Sequence, residues 1–198
     1  MYPSCHTLRA RKNEYNTKKK QFIFAERSDE KRADFTKKIK RVPKEKRVYV
    51  DESGINTFLQ REFARAPRGV IIEDIKRGDK FERLNVIGAQ CREKHYAIEC
   101  YKQNTDSEFF ENWFEAFLLE VIPKGCTVIL DNATFHRERF LRKIARGKAR
   151  LLFLPPYSPD YNLIEKSWAN MKRFLKNNLL DYDSVESAVY DYFEITEY

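Results

Sequence analysis

The chain has 198 residues, 42% hydrophobic and 14% aromatic, which suits one ordinary domain with a real core and excludes a disordered chain. No apolar run approaches the ~20 residues that span a bilayer, and residues 1–20 carry no apolar stretch of a secretory signal, so no membrane partner and a cytoplasmic, nucleoid-associated location are expected. The net charge of +8 is uneven: residues 1–50 hold 16 Lys and Arg against 6 Asp and Glu, a net +10, while residues 51–198 hold 22 against 24. Such a segment favours polyanions, nucleic acid first among them, with a merely solvated basic face as the alternative. Cys5, Cys91, Cys100 and Cys126 are scattered without C-x-x-C or His-Cys spacing, which argues against structural zinc and for reduced thiols.

In chain order, Lys18-Lys19-Lys20 opens the densest basic stretch, and Arg27 to Lys40 reads as a helix with Ala33, Phe35 and Ile39 loosely periodic. Residues 1–45 thus form a basic arm and linker helix ahead of a domain over 46–198. Lys46 to Asp51 is a first strand, bounded by Pro43 and Gly54. A short irregular strand is expected around Gly69 to Ile72. Arg83 to Gln90 and Tyr96 to Tyr101 alternate as two strands joined by a Glu93-Lys94 turn. Thr105 or Asp106 caps a helix whose apolar face is Phe109, Phe110, Trp113, Phe114, Phe117, Leu118 and Val121, ended by Pro123-Lys124-Gly125. The strand Cys126 to Leu130 follows. Arg137 to Arg150 then holds seven Lys and Arg and one acid, with Phe140, Leu141, Ile144 and Ala145 at helical spacing: a short helix with a basic outer face. A strand from Arg150 to Leu154, a helix from Leu163 and a last helix over Ser184 to Glu194, with Val185, Ala188, Val189 and Phe193 inward, complete the set.

Three acids stand out by position. Asp51 ends Val48-Tyr49-Val50, Asp131 ends Thr127-Val128-Ile129-Leu130, and Glu165 opens the amphipathic stretch through Trp168, after the turn-rich Pro155 to Asp160. Read singly, each is a turn former, a helix cap or a dipole partner. Together they lie where an α/β sheet opens its crevice, and three converging carboxylates suit a pair of divalent metals and phosphodiester chemistry. Strand–hairpin–helix–strand–helix–strand–helix, with acids after the first and fourth strands and on the late helix, is the order of the ribonuclease-H-like fold, a mixed sheet of about five strands flanked by helices, although order alone leaves several α/β folds open.

Val48-Tyr49-Val50-Asp51-Glu52-Ser53-Gly54, Ile129-Leu130-Asp131-Asn132 with His136, and Leu152-Phe153-Leu154-Pro155-Pro156-Tyr157-Ser158-Pro159-Asp160-Tyr161-Asn162-Leu163-Ile164-Glu165 resemble the DDE transposases of the Tc/mariner superfamily, in particular its bacterial insertion-sequence branch. The last motif is too long and specific for chance, and the resemblance runs from about Lys18 to the C-terminus. It implies that Asp51, Asp131 and Glu165 are catalytic and hold two Mg²⁺ or Mn²⁺ ions, and that the chain cleaves and transfers DNA strands at transposon ends and target. Asn132 and His136 then look like supporting residues, with a turn residue and a capped surface histidine as the ordinary readings. Asp160 and Asn162 would brace the loop delivering Glu165, Glu52 is a neighbour rather than a ligand, and Trp168 is core. Lys18, Lys19, Lys20, Lys37, Lys38, Lys40, Arg41, Arg137, Arg139, Arg142 and Lys143 are the expected DNA contacts.

Two departures from the family pattern matter. Leu163 stands where the family has Pro, and the helix-turn-helix modules expected before the catalytic part are not in these 198 residues, which points to a separately encoded reader; a homodimer is the expected active complex. A truncated, inactive remnant that binds DNA non-specifically, and a basic nuclease of the same fold, are the competing readings.

Overall fold

Alternation along one strand sets the layout. In β1, Arg47–Ile55, Val48 and Val50 enter one apolar core while Tyr49 and Ile55 enter another, so the strand is covered on both faces and must be central. The structure is a computed structural model that describes residues 27–55, 67–71 and 84–195. Around β1 a five-stranded sheet runs in the order β3-β2-β1-β4-β5. β2, Leu84–Cys91, pairs antiparallel with β1 and with β3, Lys94–Tyr101; β4, Thr127–Leu130, and β5, Arg150–Phe153, continue the other side in parallel. Helices α2, Ser107–Trp113, α3, Leu119–Val121, and α4, Glu138–Ile144, bring the first core together; α1, Asp29–Lys40, α5, Ile164–Asn178, and α6, Val185–Tyr192, cover the other face. This is the expected mixed five-stranded sheet with flanking helices.

Several local expectations are corrected. β1 does not stop at Asp51 but runs to Ile55, because antiparallel pairing with β2 continues through Ile55↔Leu84 after the parallel pairing with β4 has ended at Tyr49↔Ile129. Arg68–Gly69 forms a turn with Gly69 at φ 89°, and no strand occurs within 67–71; Ile72, like Lys18, Lys19 and Lys20, lies outside the described residues. The hairpin turns at Arg92-Glu93, with Arg92 in the left-handed region at φ 56°, and Lys94 already belongs to β3. Asp106 is the cap of α2, its side chain accepting from the Phe109 N–H at 2.8 Å. The helix then widens into a π-helical turn over Phe114–Leu118, which rotates the next turn about the helix axis. Leu119 and Ile122 therefore point inward, whereas Phe117 and Val121, expected inside, stand 54% and 51% exposed. α4 buries Leu141, with Ala145 at its C-cap also buried and Ile144 half-buried against the same core, whereas Phe140 lies outside beneath the Arg137 guanidinium. On α1 the inward residues are Arg32, Phe35 and Ile39, followed by Val42; Ala33 is exposed.

Candidate active site

Asp51 and Asp131 each lie two residues beyond the last parallel pair, Tyr49 and Ile129, so they stand side by side where β4 ends. Alternation puts Asp51 on the Tyr49 face of the sheet, the face covered by α5. Glu165 occupies the first turn of α5, which docks through Ile164, Trp168, Met171 and Leu175. The Trp168 indole approaches Gly88, the β2 residue paired with Asp51, where an added Cβ would come within 3.2 Å of the ring and 2.3 Å of Ile98. The three acids line one open cleft of about 530 Å³ together with Asn132, Asn162 and the loop Leu154 to Pro159. Two amides fasten that loop to the strands: Asn132 Nδ2 donates to the Leu154 carbonyl at 2.5 Å, and Asn162 Nδ2 donates to the Val50 carbonyl at 3.2 Å, directly before Asp51.

Their electrostatics differ by environment. Burial, then the charges of Glu52, Glu165 and Asp131, push the Asp51 carboxyl up to about 8. Burial also raises Glu165, against an opposing Lys172. Asp131 is pushed up by burial too, but His136 and the Ala133 N–H, both 3.0 Å from Oδ1, outweigh it and hold the carboxyl below its ordinary range. His136 is buried rather than a surface histidine. Burial pulls its imidazole down, yet Asp131 at Nδ1 and Glu52, 3.6 Å from Nε2, bring it up to about 9. Glu52 projects from the opposite face of β1 to Asp51, which is how it reaches this histidine. Sequence reasoning named His136 but not its link to Glu52. Among the described residues no three His, Cys, Asp or Glu side chains are grouped tightly enough to hold an ion as they stand. The donor set nonetheless fits a hard divalent cation: three carboxylates line one open cleft, and the buried Asn162 Oδ1 on its wall has no hydrogen-bond partner.

The profile of the DDE superfamily endonucleases matches residues 46–186. The chain belongs to this family. A comparison with curated proteins finds no match. Among solved structures, the DDE fold of this chain resembles the Mos1 transposase paired-end complex with left transposon end, at TM-score 0.62 and 14% identity over 92% of this chain and 63% of that one. It also resembles the Mos1 mariner paired-end complex with Mn, at 0.56 and 15% over 92% and 65%, and the catalytic domain of Mos1 mariner transposase, at 0.53 and 16% over 84% and 78%. The chain spans less than two thirds of the first two.

The remaining candidates of the DDE domain divide by partner. Asp160 accepts two hydrogen bonds from Arg32, at 2.9 and 2.5 Å, from a helix N-terminal to the matched segment. Sequence reasoning missed Arg32; the signal was its i, i+3, i+7 spacing with Phe35 and Ile39. Of the basic residues, Arg137 is paired with the buried Glu111, Arg142 with Glu138 and the Leu151 carbonyl, and Lys38 with Asp34. Lys37, Lys40, Arg41, Arg139 and Lys143 are exposed.

Proposed function

We propose that this DDE endonuclease is the catalytic part of a Tc/mariner-type transposase of the bacterial insertion-sequence branch, cleaving and transferring DNA strands at transposon ends and target. The observation that carries the reading is the single cleft shared by Asp51, Asp131 and Glu165, brought from two adjacent strands and a helix start. These three residues would hold two Mg²⁺ or Mn²⁺ ions, which when bound supply an activated water or 3′-hydroxyl and stabilise the leaving oxygen of the phosphodiester. Mn is named with one of the similar Mos1 complexes. Asp51 and Asp131 offer their carboxylates from neighbouring strands, and Glu165 closes the site from the docked α5. His136 orients Asp131 by occupying Oδ1, which leaves Oδ2 as its freer acceptor. Asp51 would hold an ion only in its deprotonated form.

The test is nicking of duplex DNA by the full chain with Mg²⁺, Mn²⁺ or EDTA. Cleavage should require metal and fall by several orders of magnitude in Asp51→Asn, Asp131→Asn and Glu165→Gln. Metal-dependent nicking that survives Asp131→Asn removes the reading; DNA binding with no cleavage under any metal favours the inert remnant.

A further inference from the structure

Arg32 is a charged side chain in a place that charge avoids. It is only 7% exposed and lies on a helix N-terminal to the segment that defines the family. Its guanidinium grips both oxygens of Asp160 and lies 4.1 Å from the centroid of the Tyr161 ring. Two further α1 residues hold the same ring: Phe35 stacks on it at 5.3 Å, and Thr36 Oγ1 lies 3.2 Å from its hydroxyl. Asp160 and Tyr161 belong to the 3₁₀ turn Pro159–Tyr161, and only Asn162 and Leu163 separate that turn from α5, whose second residue is Glu165. From the other side Asn162 is tied to Val50. The short link to Glu165 is thus held between α1 and β1.

Arg32 is buried but the Asp160 side chain stays 57% exposed, and an ion pair open to water on one side is a poor source of stability. What a planar bidentate fork adds is geometry, fixing the carboxylate in distance and in plane. The Tyr161 ring beneath the fork adds a cation–π contact from the same turn.

We infer that Arg32 is a positioning residue of the active site: with Tyr161 and Asp160 it makes α1 the clamp that sets where α5 begins and hence where Glu165 points. The inference rests on the reading of Glu165 as a metal-binding acid. It assigns α1 a catalytic consequence besides any contact with DNA.

The test uses the full chain and the variants Arg32→Lys, Arg32→Met, Asp160→Asn and the Arg32→Met/Asp160→Asn double. Arg32→Lys keeps the charge and guards against a variant that does not fold. Amide exchange over residues 158–166 should quicken in each variant while β1 and β4 keep their protection. Mn²⁺ affinity should fall as it does in Glu165→Gln. For Mn²⁺-dependent nicking, kcat should drop roughly 10–100-fold, the scale of a small misplacement of a reacting group, with KM for DNA unchanged. The double variant should be no worse than the poorer single one. Unchanged exchange at 158–166, exchange raised equally in loop and sheet, or losses that multiply in the double variant would each overturn the clamp. A wild-type chain that cleaves nothing overturns the proposed activity instead; exchange and Mn²⁺ affinity then still decide the role of Arg32.

Discussion

Burial and neighbouring carboxylates hold the Asp51 carboxyl up at about 8, whereas an unfolded aspartate ionises near ~3.9. Because the folded value is the higher one, the stability tied to this proton is complete below about pH 4 and is lost as pH rises through about 8. In EDTA, Asp51→Asn should therefore raise the melting midpoint, with a gain that grows from pH 5 to pH 9. A variant no more stable than wild type at pH 9 contradicts the burial and the neighbouring charges that raise Asp51. The same proton must leave when a cation binds, so Mn²⁺ should bind more tightly at pH 8 than at pH 6 and release about one proton per site filled. Calorimetry in buffers of different ionisation heat counts that proton, and a buffer-independent heat refutes it. At this scale the acids were legible because the motifs around Asp51, Asp131 and Glu165 are long. The Glu52–His136–Asp131 chain was not, since it joins the far face of β1 to a loop that follows β4.

The start of α5 explains why Leu163 is tolerated where the resemblance leads one to expect Pro. Leu163 has φ −67°, the angle a pyrrolidine ring imposes, and Asn162 before it is extended at φ −89°, ψ 103°, as a residue preceding Pro must be. Leu163→Pro should therefore be neutral or stabilise by about 0.4–1 kcal/mol through the unfolded chain, read as the midpoint of urea unfolding. A loss beyond 1 kcal/mol would mean that the helix needs something of Leu163 besides its backbone angle. The π-helical turn after α2 makes the opposite point. A 3.6-residue period placed Phe117 and Val121 inside, but one widened turn moved the stripe to Leu119 and Ile122, and nothing local in Phe114-Glu115-Ala116-Phe117-Leu118 announces the widening. Phe114→Ala should cost about 3–5 kcal/mol, whereas Phe117→Ser should stay within about 0.5 kcal/mol. Equal losses would place Phe117 in the core after all. The strands were the easier part, because unbroken apolar runs mark β1 and β4 as covered on both faces; β2, read as alternating, is in fact buried on both faces as well, since both cores reach it.

Across the whole molecule, order along the chain fixes the sheet: the hairpin β2–β3 folds antiparallel beside β1, and the helical crossovers return β4 and β5 in parallel on its other side. That arrangement brings two features distant in sequence to one side of the protein. The groove along α1, lined by Glu30 and Asp34 as well as Lys31 and Lys38, shares Leu154, Pro155 and Pro156 with the cleft of the three acids. Composition alone could locate the positive charge but not sort it, because pairing depends on tertiary neighbours. Lys37, Lys40 and Arg41 are exposed around the end of α1, whereas Arg137 is committed to the buried Glu111. The two sets should respond differently. Each cation removed from a phosphate should flatten the slope of log affinity against log salt by about 0.9, so replacing Lys37, Lys40 and Arg41 with Ala should flatten it by up to three such steps and weaken every duplex sequence alike. The melting midpoint should hardly move. Arg137→Ala should instead lower the melting midpoint by stranding Glu111, with a smaller change in salt slope. Fluorescence anisotropy on two unrelated duplexes at several salt concentrations, beside thermal melts, makes the comparison. If the slope is unmoved by the α1 substitutions, the exposed cations there do not track the phosphate backbone, and the DNA path runs elsewhere on the molecule.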